Sequence, residues 1–162
     1  MEFKLLTDVL DNLDKIEDSK GNLFKPRFDY GTKRDLLMFL SMKKRGPRKT
    51  NTYPLIWLET PIKFVKTNRV ETARVNFILA VNSSNEITNR KRTEISFVAI
   101  LDPLKILVEK AINAHSATRI NKDNQSISKI FNYDSDSSKG TSDIWDVISF
   151  EVDLQINLDC IN

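Results

Sequence analysis

Three side chains, Asp134, Asp136 and Ser138, match the first three ligand positions of an EF-hand calcium loop. Two later positions do not fit, because Lys139 stands where the loop requires glycine and Trp145 stands where a bidentate glutamate belongs. Polar stretches of this composition are typically solvated. The sequence therefore favours a solvated loop here, and we expect no metal.

The densest run of charge is a basic segment at residues 43–49. Its cations are Lys43, Lys44, Arg45, Arg48 and Lys49. Such a run can hold phosphates, because each cation that neutralises a phosphate releases a counterion. No aromatic residues alternate with these cations to form a base-stacking platform. An acidic face on a neighbouring subunit is an equally good partner, and both alternatives remain open.

The chain has one histidine and one cysteine. A single cysteine excludes an internal disulfide and any multi-cysteine metal site, and a single histidine removes most histidine-based metal centres. His115 is expected to end a helix, where the helix dipole favours the imidazolium form. Cys160 is interpreted as a small buried hydrophobe. Since the Asp and Glu residues show no convergent spacing, we expect neither catalytic residues nor a cofactor.

Length and composition are those of one globular domain spanning residues 1–162, with 40% hydrophobic and 29% charged residues. The net charge of +3 is too small to imply a nucleic-acid partner by itself. The N-terminus lacks the apolar core of a signal peptide. The longest apolar run, 97–101, is far shorter than a membrane span. We expect no membrane partner and assembly in the cytoplasm.

The strongest structural signal is the stretch 144–162, where apolar and polar residues alternate. Its apolar positions are Ile148, Phe150, Val152, Leu154, Ile156, Leu158 and Cys160. Its polar positions include Asp153, Gln155, Asn157 and Asp159. Because successive side chains of a strand point to opposite faces, this pattern predicts one long strand with a buried face and a wet face. Asp153 and Asp159 are thereby candidate interface residues.

Other segments predict the elements that must pack on this strand. Helices are expected at 6–16, ended by Gly21, at 35–44, and after an N-capping Asp102 with Pro103 in the first turn. Strands are expected at 54–58 and 73–81, and 93–101 is expected to be extended. The polar stretch 116–142 is predicted to be a long loop. This order predicts an α+β fold, an antiparallel β-sheet with two or three helices packed on one face.

Several pieces together resemble a known family. They are Tyr30-Gly31 before a short helix, the strand Tyr53-Pro54-Leu55-Ile56-Trp57-Leu58, the strand at 75–80, the helix at Pro103, and a closing strand beginning near Trp145. The set resembles the tail-terminator and tail-completion proteins of bacteriophages and related neck ring proteins. The polar stretch 116–142 and the basic segment depart from the family pattern.

The resemblance implies a structural virion protein rather than an enzyme. It implies a ring of identical subunits, a hexamer or dodecamer, at the head–tail junction or the tail end. The expected neighbours are portal, connector or tail proteins, with viral DNA passing through the channel. The protein would be assembled in the host cytoplasm and retained in the virion.

Trp57 and Trp145 are the remaining interface candidates, because tryptophan is enriched at binding hot spots. Core packing explains each of them equally well. Two other classes stay open from the residues alone: a nucleic-acid-binding accessory protein that uses the basic segment, and a metal-dependent enzyme.

Overall fold

The computed structural model describes residues 2–42, 53–84, 86–133 and 143–161. The helical elements are α1 (Glu2–Leu10), α2 (Lys33–Met42), α3 (Asn89–Arg92), a π-helix (Thr93–Leu101), α4 (Asp102–Ala114) and a short 3-10 turn (Leu158–Cys160). The strands are β1 (Ile16–Glu17), β2 (Leu23–Phe24), β3 (Arg27–Gly31), β4 (Leu55–Glu59), β5 (Val65–Thr67), β6 (Val70–Ser84), β7 (Thr118–Ile130) and β8 (Asp143–Asn157).

One mixed sheet organises the fold, with strand order β3-β4-β6-β8-β7 and β5 paired to β6. Only β3 and β4 are parallel among these described pairs. A separate small hairpin joins β1 and β2. At the centre, β6 and β8 pair antiparallel over fifteen residues each, from Val70 opposite Asn157 to Ser84 opposite Asp143. The alternation seen in the sequence therefore becomes a continuous ladder of about 50 Å at about 3.3 Å per residue.

The first core lies between this sheet and a helix layer formed by α1, the π-helix and α4. The strand residues of this core include Val75, Phe77, Leu79, Ile148, Phe150, Val152, Leu154 and Ile156. From the helices come Leu6, Leu10, Phe97, Leu101, Leu104, Val108 and Ile112. Phe77 and Phe150 stack at 5.2 Å between ring centroids, directly opposite each other in the ladder. The apolar face of the last strand thus lies under two helices, as the sequence predicts.

A second core lies on the opposite face of the sheet, where α2 covers one end. It contains Leu36, Leu40, Leu55, Trp57, Ile78, Ala80, Trp145 and Val147. Thr32 begins α2 with a capping box: its hydroxyl accepts the Asp35 N–H at 3.2 Å, and its own N–H donates to the Asp35 carboxylate at 2.8 Å. The α+β class is confirmed, with α1, the π-helix and α4 on one face and α2 on the other.

The loop predicted at 116–142 is wrong for its first half, which forms β7. This strand pairs with β8 along one edge of the sheet, with a break in register between Asn121 and Ser126. Its polar composition reflects an edge position, where most side chains meet solvent and backbone bonds to β8 hold the segment. Residues 134–142 of the predicted loop, including the calcium-like positions, lie outside the described residues.

The extended segment predicted at Thr93–Leu101 is also wrong, because these residues form a π-helix. An apolar run on both faces fits a buried helix as well as a buried strand. Asp102 has helical torsions and donates its N–H to the Phe97 carbonyl five residues back, so the helix passes directly into α4 and Asp102 is no N-cap. Pro103 still lies in the first turn of α4.

Two predicted boundaries shift. The first helix ends at Leu10, while Leu13 and Ile16 reach the same core from a turn and from β1. The last strand ends at Asn157, whose side chain accepts the Asp159 N–H at 3.1 Å and begins the 3-10 turn. Cys160 is consequently exposed rather than buried. No helix in the described ranges is long and apolar enough to cross a membrane.

Replacing Phe150 with alanine should lower the free energy of unfolding by about 2–5 kcal/mol, because the side chain is fully buried in the first core. Gln155→Ala on the same strand faces away from this core and should change stability by less than about 0.5 kcal/mol. Urea unfolding of both variants measures the difference. Equal stabilities would contradict the assigned faces of β8.

Candidate interaction surface

Among the described residues, the sheet face opposite the helix layer is covered by α2 at one end only. Ile78 and Ala80 of β6 lie beneath α2 in the second core. Further along, the same face continues with side chains of Glu59, Arg74, Asn76, Ser149, Glu151 and Asp153, together called the open sheet face. The strands position these side chains directly, because every second residue of β6 and β8 points to this side.

A chain of hydrogen bonds crosses three strands of the open sheet face. The Ser149 hydroxyl donates to Asn76 Oδ1 at 2.9 Å, and the Asn76 amide donates to Glu59 Oε2 at 2.7 Å. Ser149, Asn76 and Glu59 come from β8, β6 and β4. The network fixes the orientation of these three partly buried side chains.

Arg74 forms two ion pairs on the next part of the open sheet face. Its guanidinium lies 3.2 Å from the Asp153 carboxylate and 3.5 Å from that of Glu151. The Asp153 side chain is 32% exposed, so water screens this pair and its contribution to stability is at most about 1 kcal/mol. The arrangement presents a preformed polar surface on which the carboxylates of Glu59, Glu151 and Asp153 outnumber the one cation, Arg74.

A shallow groove of about 610 Å³ runs along this end of the sheet. It is lined by Pro61, Lys63, Val65, Thr72, Ala73, Arg74, Asn121, Asp153 and Gln155. Two valines of the β5–β6 hairpin, Val65 and Val70, are 55% and 37% exposed. The groove thus combines exposed apolar side chains with ordered polar groups.

The predicted site residues are only partly brought together. Asp153 lines the groove, whereas Asp159 lies in the 3-10 turn and pairs with Arg69 at 3.1 Å. Trp57 and Trp145 are 3% and 5% exposed and belong to the second core. Trp57 donates its Nε1–H to the Gly31 carbonyl at 3.1 Å. Core packing, one of the two alternatives, is the role that this placement gives each tryptophan.

The basic segment, with Lys43, Lys44, Arg45, Arg48 and Lys49, lies outside the described residues. His115 ends α4, and its Nδ1 accepts the Ala117 N–H at 3.2 Å.

The sequence reasoning missed a buried ion pair between Arg92 and Asp146. Both side chains are almost fully buried, and Asp146 accepts hydrogen bonds from Nε and Nη2 of Arg92. Arg92 Nη1 also donates to the Asn132 side chain at 2.8 Å, and the guanidinium lies 5.1 Å from the Phe131 ring centroid. Asp146 was visible as the one acidic interruption of the apolar face of the last strand. Its partner, Arg92, could not be recognised from the sequence, because it is one of three consecutive basic residues at 90–92.

A second missed group is Glu109 on α4, which is only 4% exposed. Its carboxylate accepts hydrogen bonds from Lys105 at 2.6 Å, Lys122 at 2.5 Å and Gln125 at 2.6 Å. Burial by itself would raise the pKa of the Glu109 carboxyl, but these three hydrogen bonds together outweigh burial and hold the pKa below its ordinary value. Lys122 and Gln125 come from the register break of β7, so this cluster ties the edge strand to the helix layer.

The chain matches no protein-family model and no curated protein. Within the described residues, no three His, Cys, Asp or Glu side chains converge as metal ligands.

Asp146→Asn should lower the free energy of unfolding by about 3–5 kcal/mol, because it leaves the Arg92 guanidinium buried without its counterion. Asp159→Asn is the matched control. It breaks an exposed pair with Arg69 and should cost no more than about 1 kcal/mol. Urea unfolding measures both, and equal costs would contradict the assignment of Arg92–Asp146 as the buried structural pair.

Glu109 should also make stability depend on pH. Because folding lowers the Glu109 pKa, its stabilisation is complete above the ordinary glutamate pKa of about 4.3 and is lost as pH falls through the folded value. The difference in unfolding free energy between the native chain and Glu109→Gln should therefore be largest at neutral pH and shrink below about pH 4.

Urea titrations at neutral pH and at about pH 3.5 test this linkage. Glu94→Gln, an exposed substitution on the π-helix, is the control and should change stability little at either pH. A difference for Glu109→Gln that stays constant with pH would show that its hydrogen bonds do not lower the pKa.

Proposed function

We propose that this chain is a structural virion protein of a bacteriophage. Copies of it form a ring at the head–tail junction or at the tail end, join the head or portal to the tail, and leave a channel through which DNA passes. The hexamer or dodecamer implied by the sequence resemblance is part of this proposal.

The observation that supports the proposal most strongly is the open sheet face. In the part of the chain that the structure describes, a long stretch of one sheet face carries ordered polar side chains beside exposed valines, and a face of this kind is open to water or to another protein. Such a surface suits a contact with another protein. Because the core of the domain does not need this surface, an assembly protein can use it to contact its neighbours.

The arrangement of charged groups favours the same class over an enzyme. Across the described residues, the buried acids Asp146 and Glu109 are satisfied by Arg92 and by Lys105 and Lys122. Arg74 similarly engages Glu151 and Asp153. General acid–base chemistry needs a group whose proton can be transferred to a substrate, whereas these groups are bound to one another.

The basic segment at 43–49 is part of the proposed assembly contact. It docks on an acidic surface of an adjacent ring or touches DNA in transit. Such a contact is sensitive to salt, because exposed charges are screened over about 8–10 Å at physiological ionic strength.

A phage from which the gene is deleted should accumulate heads and tails that do not join, and the native chain should restore joined particles. Lys43→Glu with Lys44→Glu and Arg45→Glu should restore joining poorly, because the docking charges are reversed. Electron micrographs of lysates count the joined particles.

Arg90→Glu with Lys91→Glu reverses exposed cations on α3 and serves as the control. It should restore joining as the native chain does. Complete, infectious particles formed without the protein would refute the proposed function.

A further inference from the structure

The main sheet has two terminal strands, β3 and β7, which differ in how their outer backbone is used. The first part of β7 is closed by the protein itself. The Ile120 N–H donates to the Asn113 side chain of α4 at 2.7 Å, and the Thr118 N–H donates to the His115 carbonyl at 3.3 Å. These bonds cap the outward groups of the strand as far as the register break.

Beyond the break, and among the residues that the structure describes, 126–130 pair with β8 on one side only. Backbone groups of a strand alternate in direction, and the Asn157 N–H donates to the Ala117 carbonyl, so odd-numbered residues of β8 face β7. Their partners in the second half of β7 are the even-numbered residues of 126–130. Ile127 and Lys129 therefore direct their backbone N–H and C=O groups away from the sheet.

Exposed edges of this kind pair readily with another strand. The Ile127 side chain is 48% exposed at the same place. The length of 126–130 equals the five residues of β3 at the opposite edge of the sheet. In β3 the Arg27 N–H donates inward to the Pro54 carbonyl, which turns the backbone of Phe28 and Tyr30 outward. The Tyr30 N–H already donates to the Asp29 carboxylate at 2.9 Å, so the outward carbonyl of Tyr30 and the backbone of Phe28 are the groups that this edge offers.

The two edges differ in charge. Around the β7 edge, Lys122 and Lys129 are paired with Glu109 and Asp102, while Lys110 and Arg119 are further exposed cations beside one exposed acid, Asp123. At the β3 edge lies α1, whose Phe3 ring stacks on Tyr30 at 4.7 Å between centroids. The exposed acids of α1 and the segment after it are Asp8, Asp11, Asp14 and Glu17, and they outnumber the exposed cations there, Lys4 and Lys15.

We propose that the β7 edge, residues 126–130 with the surrounding cations, docks on the β3 edge and the acidic α1 surface of a second copy of this chain. The two surfaces differ, so the contact is heterologous and repeats from copy to copy until it closes into a ring. Pairing of two β7 edges is disfavoured, because like charges would face each other. This inference rests on the proposed ring and names the surfaces that join its subunits.

Two variants separate the surfaces. The basic-edge variant carries Lys110→Glu, Arg119→Glu and Ile127→Pro. Proline removes the outward Ile127 N–H and is tolerated on an edge strand. The acidic-edge variant carries Asp8→Lys, Asp11→Lys and Asp14→Lys. Ile127→Ala keeps the N–H and is the matched control, which should still assemble.

Light scattering at one fixed concentration gives the result. The native chain should have the mass of a closed oligomer, and each variant alone should have the mass of a monomer. An equimolar mixture of the two variants should shift to a one-to-one dimer, since one intact contact remains between them. Circular dichroism checks folding, and if Ile127→Pro unfolds, the Lys110→Glu and Arg119→Glu variant alone decides.

Variants that assemble like the native chain would overturn the inference and leave the ring intact. An acidic-edge variant that dimerises alone, beside a monomeric basic-edge variant, would show pairing of two β7 edges instead. A native chain that stays monomeric at every concentration would overturn both this inference and the proposed ring.

Discussion

The antiparallel ladder between β6 and β8 is the interaction on which the rest of the structure depends. Its fifteen paired positions run the length of the domain. One side of the ladder supplies Phe77 and Phe150 to the first core, and the other side supplies Ile78 and Val147 to the second. Because strand side chains alternate, one pairing register sets both cores, and a slip by one residue would exchange buried and exposed faces.

Two buried charged clusters hold the remaining elements in place on this ladder. Arg92 and Asp146 connect the start of the helix layer to β8, and Glu109 connects α4 to the register break of β7. Charges in such positions need their partners, since an unpaired buried charge is strongly destabilising. The exposed pairs of Arg74 and Arg69 contribute little to stability. They order the surface instead.

How much could be predicted from the sequence depended on where each element finds its partners. The residues of β8 alternate strictly between apolar and polar, so the two faces of this strand and the helices that pack on it were predictable from the sequence. The edge strand β7 takes its stability from backbone bonds to β8 and from Glu109, and its polar composition looks like a loop. The π-helix carries apolar residues on every side, a pattern shared by buried strands and buried helices.

The candidate surface was likewise predictable only in part. Asp153 could be placed on the wet face of β8 by counting residues, and it lines the groove. The network of Ser149, Asn76 and Glu59 joins three strands that are distant in sequence, so only the register of the sheet brings it together. Asp159 and Cys160 were assigned to the strand, but the strand ends at Asn157, two residues before Asp159 and three before Cys160.

The central claim is that identical copies of this chain close into a ring. The most direct measurement is the mass of the purified full chain by light scattering over a wide range of concentrations. The account predicts a single assembled species of six or twelve subunits, a whole multiple of the 18.7 kDa chain, that persists on dilution. A monomer at all concentrations, or a continuous series of growing oligomers without closure, would contradict it.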